Sequence, residues 1–204
     1  MTKISDLYSD TIPFIENHFY HIYNKGNAKE RLFFNDSNYK YFLKKFDKYL
    51  SDYLDVYCYC LIPNHFHFLV KIKESNAKTS ECDRLNKIII QQFSNFFNCY
   101  TKSVNLEQNR SGSLFKKHFK RRIILEEQYL GRIVLYIHLN PVHHKIADDY
   151  QNFRWSSYHR ILSDKPSKLK KSEVLDIFGG RENYIKSHRE ESFNYQEISK
   201  YIFD

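Results

Sequence analysis

The sequence is poor in the residues that interrupt regular structure. Its 204 residues include only five glycines and four prolines, whereas low-complexity and disordered chains are rich in both. No stretch approaches the roughly 18 consecutive apolar residues of a membrane-spanning helix. The first 13 residues lack the apolar core of a signal peptide. We therefore expect a folded protein with no membrane partner.

Cysteine is scarce as well. Cys58 and Cys60 stand two apart in a strand-like run, and Cys82 and Cys99 follow singly. This spacing fits neither a zinc site nor the disulfide framework of a small secreted protein. It favours a reduced, cytoplasmic protein.

Basic and aromatic residues are abundant instead. The formal net charge is +8, and the chain carries 17 tyrosines and 17 phenylalanines. Cations that follow a phosphate backbone and rings that stack on bases are typical of proteins that bind single-stranded nucleic acid. A basic protein with no role in nucleic-acid binding is the alternative.

The hydrophobic pattern predicts an α+β protein with a ferredoxin-like (RRM-like) fold. Apolar alternation predicts strands, and apolar residues at i, i+3, i+4 and i+7 predict helices. The predicted strands are 18–23, 55–61, 65–73 and 119–125, and the predicted helices are 36–53 and 81–102. Their order is βαββαβ, which predicts an antiparallel sheet with these two helices on one face.

A third helix is predicted from Glu126 to Asn140, ended by Pro141. We place a domain boundary after this helix and its following loop, with residues 1–160 as the main domain. Residues 161–204 are expected to form a basic linker and a C-terminal helical extension that breaks at Gly179-Gly180.

His65 and His67 stand two apart in the third predicted strand. Side chains two apart on a strand point to the same face. Imidazole is a common ligand of first-row metals, and one rigid strand orders both rings. The alternative is a pair of ordinary strand histidines that alternate with phenylalanine.

Tyr136 and Asn140 stand one turn apart on the third predicted helix, with Arg132 one turn earlier. An amide oxygen is a hard ligand, which suits Mg²⁺ or Mn²⁺ beside the two imidazoles. A core tyrosine and an asparagine at a helix end before proline are the alternatives.

A dense basic cluster precedes and enters the fourth predicted strand, beside Phe115 and Phe119. Its members are Lys116, Lys117, Lys120, Arg121 and Arg122. On an edge strand such a cluster suits DNA phosphates. A solvated run of charges is the alternative.

Four separated motifs resemble one known family. They are YHIYNKGN at 20–27, YCLIPNHFHFLV at 59–70, YIHLNPV at 136–142 and WSSY at 155–158. Together they resemble the REP-associated tyrosine transposases, which are single-tyrosine HUH transposases of insertion sequences. The resemblance covers residues 18–160, with the motifs in the family's order.

The resemblance implies a ferredoxin-like enzyme that cleaves and rejoins single-stranded DNA at hairpin-type sites through a 5′-phosphotyrosine. By motif position, Tyr136 is the nucleophile, and His65, His67 and Asn140 hold Mg²⁺ or Mn²⁺. The implied DNA contacts are the basic cluster, Asn24, Lys25, Asn27 and Arg132. The expected setting is the bacterial cytosol at the nucleoid, as a monomer or homodimer.

Three other functions remain open. Another HUH nuclease, such as a replication initiator or relaxase, also uses a tyrosine and a histidine pair. A histidine-triad hydrolase is disfavoured because Leu69 stands where a third alternating histidine is needed. A single-strand binding module would stack bases on an open sheet, with Tyr57 and Tyr59 as candidates.

Overall fold

A computed structural model describes residues 12–74 and 82–194 of the protein. Four strands form one antiparallel sheet in the order β2-β3-β1-β4. The strands are β1 Phe19–Lys25, β2 Leu54–Ile62, β3 His65–Ile72 and β4 Lys120–Ile124. Helices α1 Asp36–Leu50 and α2 Cys82–Glu107 complete the βαββαβ order. The predicted ferredoxin-like fold is therefore confirmed.

One face of the sheet packs against α1 and α2. The side chain of Asn35 caps α1 by accepting a hydrogen bond from the Asn38 backbone N–H at 3.1 Å. Apolar residues at helical spacing then face the sheet, and the ring centroids of Phe46 and Phe68 lie 4.1 Å apart. This aromatic core fixes the face of β3 that carries Phe66, Phe68 and Val70.

The opposite face of the sheet is covered by α3, Leu130–His143. This helix is apolar on nearly all sides, which is typical of a helix buried between two layers. Its inner side packs against Leu69 of β3 and Cys58 and Cys60 of β2. The sheet is therefore enclosed on both faces, and the histidines of β3 lie beneath α3.

The outer side of α3 packs against α4 Tyr158–Leu162, α5 Lys171–Ile177 and α6 Arg181–Asn194. Val174 and Tyr184 are fully buried in the same core as α3. The basic stretch before α5 lies along the sheet edge, where the Lys170 N–H donates to the Val56 carbonyl at 3.0 Å. The residues of the predicted linker and extension thus share a core with the main domain.

Several predicted helix ends are wrong: α1 ends at Leu50 and α2 at Glu107, rather than at residues 53 and 102, and both ends of α3 differ. A 3-10 turn at Glu127–Tyr129 precedes α3, so the helix begins at Leu130 rather than Glu126. Pro141 lies inside α3, not at its end. Proline removes one N–H from the helix, but the last turn still closes through His144 N–H to Asn140 O at 3.1 Å and Ile146 N–H to Pro141 O at 2.8 Å.

Predictions for residues 1–11, 75–81 and 195–204 lie outside the described residues. Within the described ranges, no helix combines the length and the apolar character needed to cross a membrane.

Candidate active site

Strand β3 places His65 and His67 on the face that α3 covers. Phe66 and Phe68 alternate with them and point to the opposite face, as the two-residue period of a strand requires. The two rings lie with centroids 5.1 Å apart, and their side chains are 2% and 0% exposed. The sequence expectation of a shared face therefore agrees with the geometry.

Helix α3 brings Tyr136 and Asn140 to these histidines. The Asn140 Oδ1 atom lies 3.0 Å from His65 Nε2. The Tyr136 ring stands edge-on to His67, with centroids 5.5 Å apart. Tyr136 is 1% exposed and Asn140 is fully buried. All four residues of the predicted catalytic and metal set thus converge, although they come from two distant segments.

A third imidazole, which the sequence analysis missed, belongs to the same cluster. His21 Nε2 lies 2.9 Å from His67 Nδ1, and its ring stacks against Tyr23. Its signal in the sequence was the alternation of Phe19, His21 and Tyr23 along β1. The contact with His67 depends on the register of β1 against β3, which pairs Tyr23 with His67 and which alternation does not determine.

The hydrogen bonds of His65 indicate whether His65 and Asn140 can hold a cation. The Asn64 Oδ1 atom lies 2.8 Å from His65 Nδ1, and an amide oxygen only accepts, so Nδ1 donates. In the neutral ring the Nε2 lone pair then faces Asn140 Oδ1. The Asn140 amide nitrogen is buried and makes no hydrogen bond to any described residue. Two electron-pair donors facing each other at 3.0 Å fit a bound cation.

The donor set is small and depends on Asn140. Within residues 12–74 and 82–194, no three His, Cys, Asp or Glu side chains converge on a metal position. Cys60 pairs with His67 across β2 and β3. Burial raises the pKa of the Cys60 thiol well above its usual range. The imidazoles of His65 and His67 and the Asn140 oxygen are the candidate ligands, and such a mixed nitrogen and oxygen set can hold a first-row divalent cation.

Two more histidines border the cluster at the end of α3. The ring of the exposed His144 lies 4.4 Å from that of His65, and the half-buried His143 lies 6.5 Å from Tyr136, between centroids. In the sequence they directly follow the segment Asn140-Pro141-Val142. They are the solvent-facing members of the cluster.

The predicted basic cluster divides between the two faces of β4, which is an edge strand. Lys120 pairs with Tyr23 and Arg122 with His21. Directly paired residues of antiparallel strands share a face, so both cations lie on the face of the sheet that carries His21 and His67. Lys116 and Lys117 are exposed in the loop that leads into β4.

Arg121 differs from the other members of that cluster. It points to the opposite face, is 6% exposed, and donates from Nε to the Ile12 carbonyl. Its guanidinium carbon also lies 4.8 Å from the centroid of the Phe14 ring. A guanidinium held this way supports the fold, so the basic surface consists of Lys116, Lys117, Lys120 and Arg122.

The turn after β1 holds the remaining predicted DNA contacts. Asn24 is buried, donates to the Lys116 carbonyl at 3.2 Å and accepts from the Lys25 N–H at 2.8 Å. Asn24 therefore fastens the turn to the basic loop, while Lys25 is half-buried and Asn27 exposed. Arg132 is exposed on α3, 5.6 Å from the Tyr129 ring centroid and apart from the histidines.

Comparison with known proteins agrees with the motif resemblance. No model of a known protein family matches the sequence. Over 110 residues, which are 50% of this chain, it is 24% identical to a Haemophilus influenzae protein named as a REP-associated tyrosine transposase. The matched part covers 57% of that relative's length.

The fold is similar to a solved structure of a REP-associated tyrosine transposase bound to a REP hairpin. The TM-score is 0.55 at 17% identity, over 81% of this chain and 89% of that one. The predicted resemblance to this family is thus confirmed, in sequence by the curated relative and in fold by the solved structure.

Proposed function

We propose that the protein is a metal-dependent DNA endonuclease and transposase that cuts and rejoins single-stranded DNA at hairpin-type sites. Tyr136 is the nucleophile, and His65, His67 and Asn140 hold Mg²⁺ or Mn²⁺. The observation that carries the proposal is the convergence of a phenol, two imidazoles and an amide oxygen from a strand and a distant helix.

The reaction follows from the chemistry of a phenol beside a bound phosphodiester. The Tyr136 oxygen attacks phosphorus, the bond to the 3′ oxygen breaks, and that oxygen leaves as a 3′ hydroxyl after taking up a proton. The DNA 5′ phosphate stays on the tyrosine as a diester. Attack by a 3′ hydroxyl on this diester reverses the step, so rejoining needs no external energy source.

The surrounding residues prepare this step. When bound, a divalent cation would neutralise charge on a non-bridging phosphate oxygen and orient the phosphate. Tyrosine has an ordinary pKa of about 10, so the phenol must lose its proton during attack. The rings of His21, His67 and His143 lie within 6.5 Å of the Tyr136 ring, between centroids.

The basic surface suits the DNA strand. Lys116, Lys117, Lys120 and Arg122 extend from the loop before β4 onto the histidine face, and we assign their contacts to phosphates. The related solved protein is bound to a REP hairpin, which supports a hairpin with a single-stranded flank as the substrate class. Tyr136 is 1% exposed, so a bound strand can reach it only after side chains around it move.

The competing binding module requires an open sheet face with stacking rings. Tyr57 is 2% exposed, and its hydroxyl donates to Glu173 of α5. Helix α3 occupies the face on which bases would stack. These contacts favour the enzyme.

The test is to select bound molecules from a pool of hairpin oligonucleotides with randomised single-stranded flanks, and then to map cleavage with Mn²⁺. Cleavage at one position beside the hairpin supports the proposal. Tight binding with no cleavage in Mg²⁺ or Mn²⁺ would instead favour the binding module.

A further inference from the structure

His138 lies on α3 between Tyr136 and Asn140 but faces away from the sheet histidines. Its side chain is fully buried where α3 packs against the C-terminal helices. Its Nε2 lies 2.8 Å from Ser157 Oγ, and its Nδ1 lies 2.9 Å from His188 Nε2 of α6. None of the proposed active-site chemistry uses these three residues.

The donors and acceptors of this chain follow from the end at Tyr184. The Tyr184 carbonyl only accepts, so His188 Nδ1 donates to it, at 2.7 Å. In a neutral ring His188 Nε2 must then accept, so His138 Nδ1 donates. His138 Nε2 in turn accepts from the Ser157 hydroxyl at 2.8 Å. The other acceptor within reach of this hydroxyl, the Tyr59 carbonyl, is farther away at 3.2 Å and already accepts from the Ser157 backbone N–H at 2.9 Å.

The Ser157 hydroxyl also connects these residues to the sheet. Ser157 Oγ accepts from the Tyr59 backbone N–H of β2 at 2.8 Å. Burial lowers the pKa of His188 to about 4. The His188 ring is therefore neutral, and each donor in the chain meets an acceptor. The phenols of Tyr150, Tyr158 and Tyr184 pack around the two rings.

We propose that His138, Ser157 and His188 are positioning residues for the active site. Their chain ties α3 to β2 on one side and to α6 on the other. It fixes the rotation of α3, so that Tyr136 and Asn140, two residues to either side of His138, stay over the histidine strand. The inference rests on the proposed function of Tyr136 and Asn140. It gives the C-terminal extension a part in catalysis without any contact to substrate.

The activity test compares His188→Leu and Ser157→Ala with a matched control. Tyr184→Phe removes a hydroxyl from the same core. The contacts of this hydroxyl with His138 and Tyr158 are long, at 3.3 and 3.4 Å. His188→Gln keeps one acceptor and one donor and serves as the rescue variant. Single-turnover cleavage of DNA from the hairpin pool is measured at saturation, together with the dissociation constant and the melting temperature.

A positioning role predicts a fall of about tenfold or more in the single-turnover rate of His188→Leu and Ser157→Ala, with the DNA dissociation constant unchanged. Tyr184→Phe should stay near the wild-type rate, and His188→Gln should recover much of the loss. A purely structural role would lower the melting temperature and leave the rate unchanged well below it. That result would overturn the proposal.

A second measurement does not depend on cleavage. If the wild-type protein cuts no DNA, only the proposed function fails, and this measurement still tests the positioning chain. Nitrogen NMR of the imidazoles should find the proton on Nδ1 in both His138 and His188. Amides of residues 137–140 should exchange faster in His188→Leu than in Tyr184→Phe. A proton on Nε2 of either ring, or equal exchange in the two variants, would overturn the positioning chain.

Discussion

At the scale of single residues, His67 is oriented by another imidazole. Histidines that bind metals usually fix their second ring nitrogen with a carboxylate, a backbone carbonyl or a water. Here His21 Nε2 lies 2.9 Å from His67 Nδ1. A neutral imidazole can accept as well as donate, so His21 can hold His67 with Nε2 as the metal-binding atom.

Replacing His21 with alanine should therefore weaken metal binding. We expect the Mn²⁺ dissociation constant, measured by calorimetry on the DNA-free protein, to rise about 10- to 100-fold. Cleavage should be restored by excess Mn²⁺. His159→Ala, which removes an exposed histidine on α4, is the matched control. Unchanged Mn²⁺ affinity in His21→Ala would remove His21 from the site.

Replacing both His65 and His67 with alanine should abolish cleavage and leave DNA binding intact, because the proposed phosphate contacts lie on β4 and its loop. Cleavage and filter binding of the same hairpin oligonucleotide measure the two effects. Undiminished cleavage by the double variant in the presence of a chelator would contradict the metal site.

At the scale of elements, β4 shows how one run of charges serves two purposes. Successive side chains of a strand point to opposite faces. Lys120 and Arg122 therefore share the histidine face, while Arg121 between them lies beneath the sheet against Phe14. The sequence analysis treated the five cations alike, although alternation separates Arg121 from its two neighbours. The contacts with Ile12 and Phe14 show that its face is the buried one.

Neutralising Lys116, Lys117, Lys120 and Arg122 should weaken DNA binding and flatten its salt dependence. Each lost phosphate contact should lower the slope of log K against log salt by about 0.7 to 0.9. Binding of a hairpin oligonucleotide over a salt series measures the slope. An unchanged slope would mean that these residues form only a solvated surface.

Arg121→Ala is the contrasting variant. It should leave the salt slope nearly unchanged and reduce the free energy of unfolding by about 1.5 to 3 kcal/mol, because a buried carbonyl loses a charged donor. Urea denaturation provides the comparison. A slope change equal to that of Lys120→Ala, with no loss of stability, would return Arg121 to the DNA surface.

Helix α3 shows what sequence reasoning can and cannot provide. The spacing of Tyr136 and Asn140 predicted one shared helix face, and they do meet His67 and His65. The same motif suggested that Pro141 ends the helix, whereas the helix continues to His143. The last turn closes through the His144 and Ile146 N–H groups, so the helix continues past the proline.

At the scale of the whole molecule, two cores enclose the sheet. Order and type of the elements followed from periodicity, so the ferredoxin-like fold was predictable. The register that brings His21 to His67, and the packing of α6 against α3, were not. Both depend on contacts between segments far apart in sequence, such as His138 with His188, and a local pattern contains no signal for them.

This buried histidine pair makes stability depend on pH. Burial lowers the pKa of His188 from 6.5 to about 4 in the folded protein. The unfolded chain thus takes up its proton first as the pH falls, and the stabilisation is full above about pH 6.5 and lost towards about pH 4. Unfolding free energy should fall between about pH 7 and pH 5, with His188 supplying about 2 kcal/mol.

Urea denaturation of wild type and His188→Gln at both pH values isolates this contribution. The variant should lose less stability on acidification, because glutamine does not titrate in this range. An equal loss in the two proteins would show that other groups cause the pH dependence.

The most direct test of the central claim is the identity of the residue that becomes covalently attached to DNA. Wild-type protein incubated with a selected hairpin oligonucleotide and Mn²⁺ should form an adduct with the 3′-side fragment through its 5′ phosphate, and release a free 3′ hydroxyl. Peptide mapping should locate the adduct on Tyr136, and Tyr136→Phe, which keeps the ring and its packing, should bind DNA without forming it. An adduct on Tyr129 or Tyr158, or one that persists in Tyr136→Phe, would contradict the assignment.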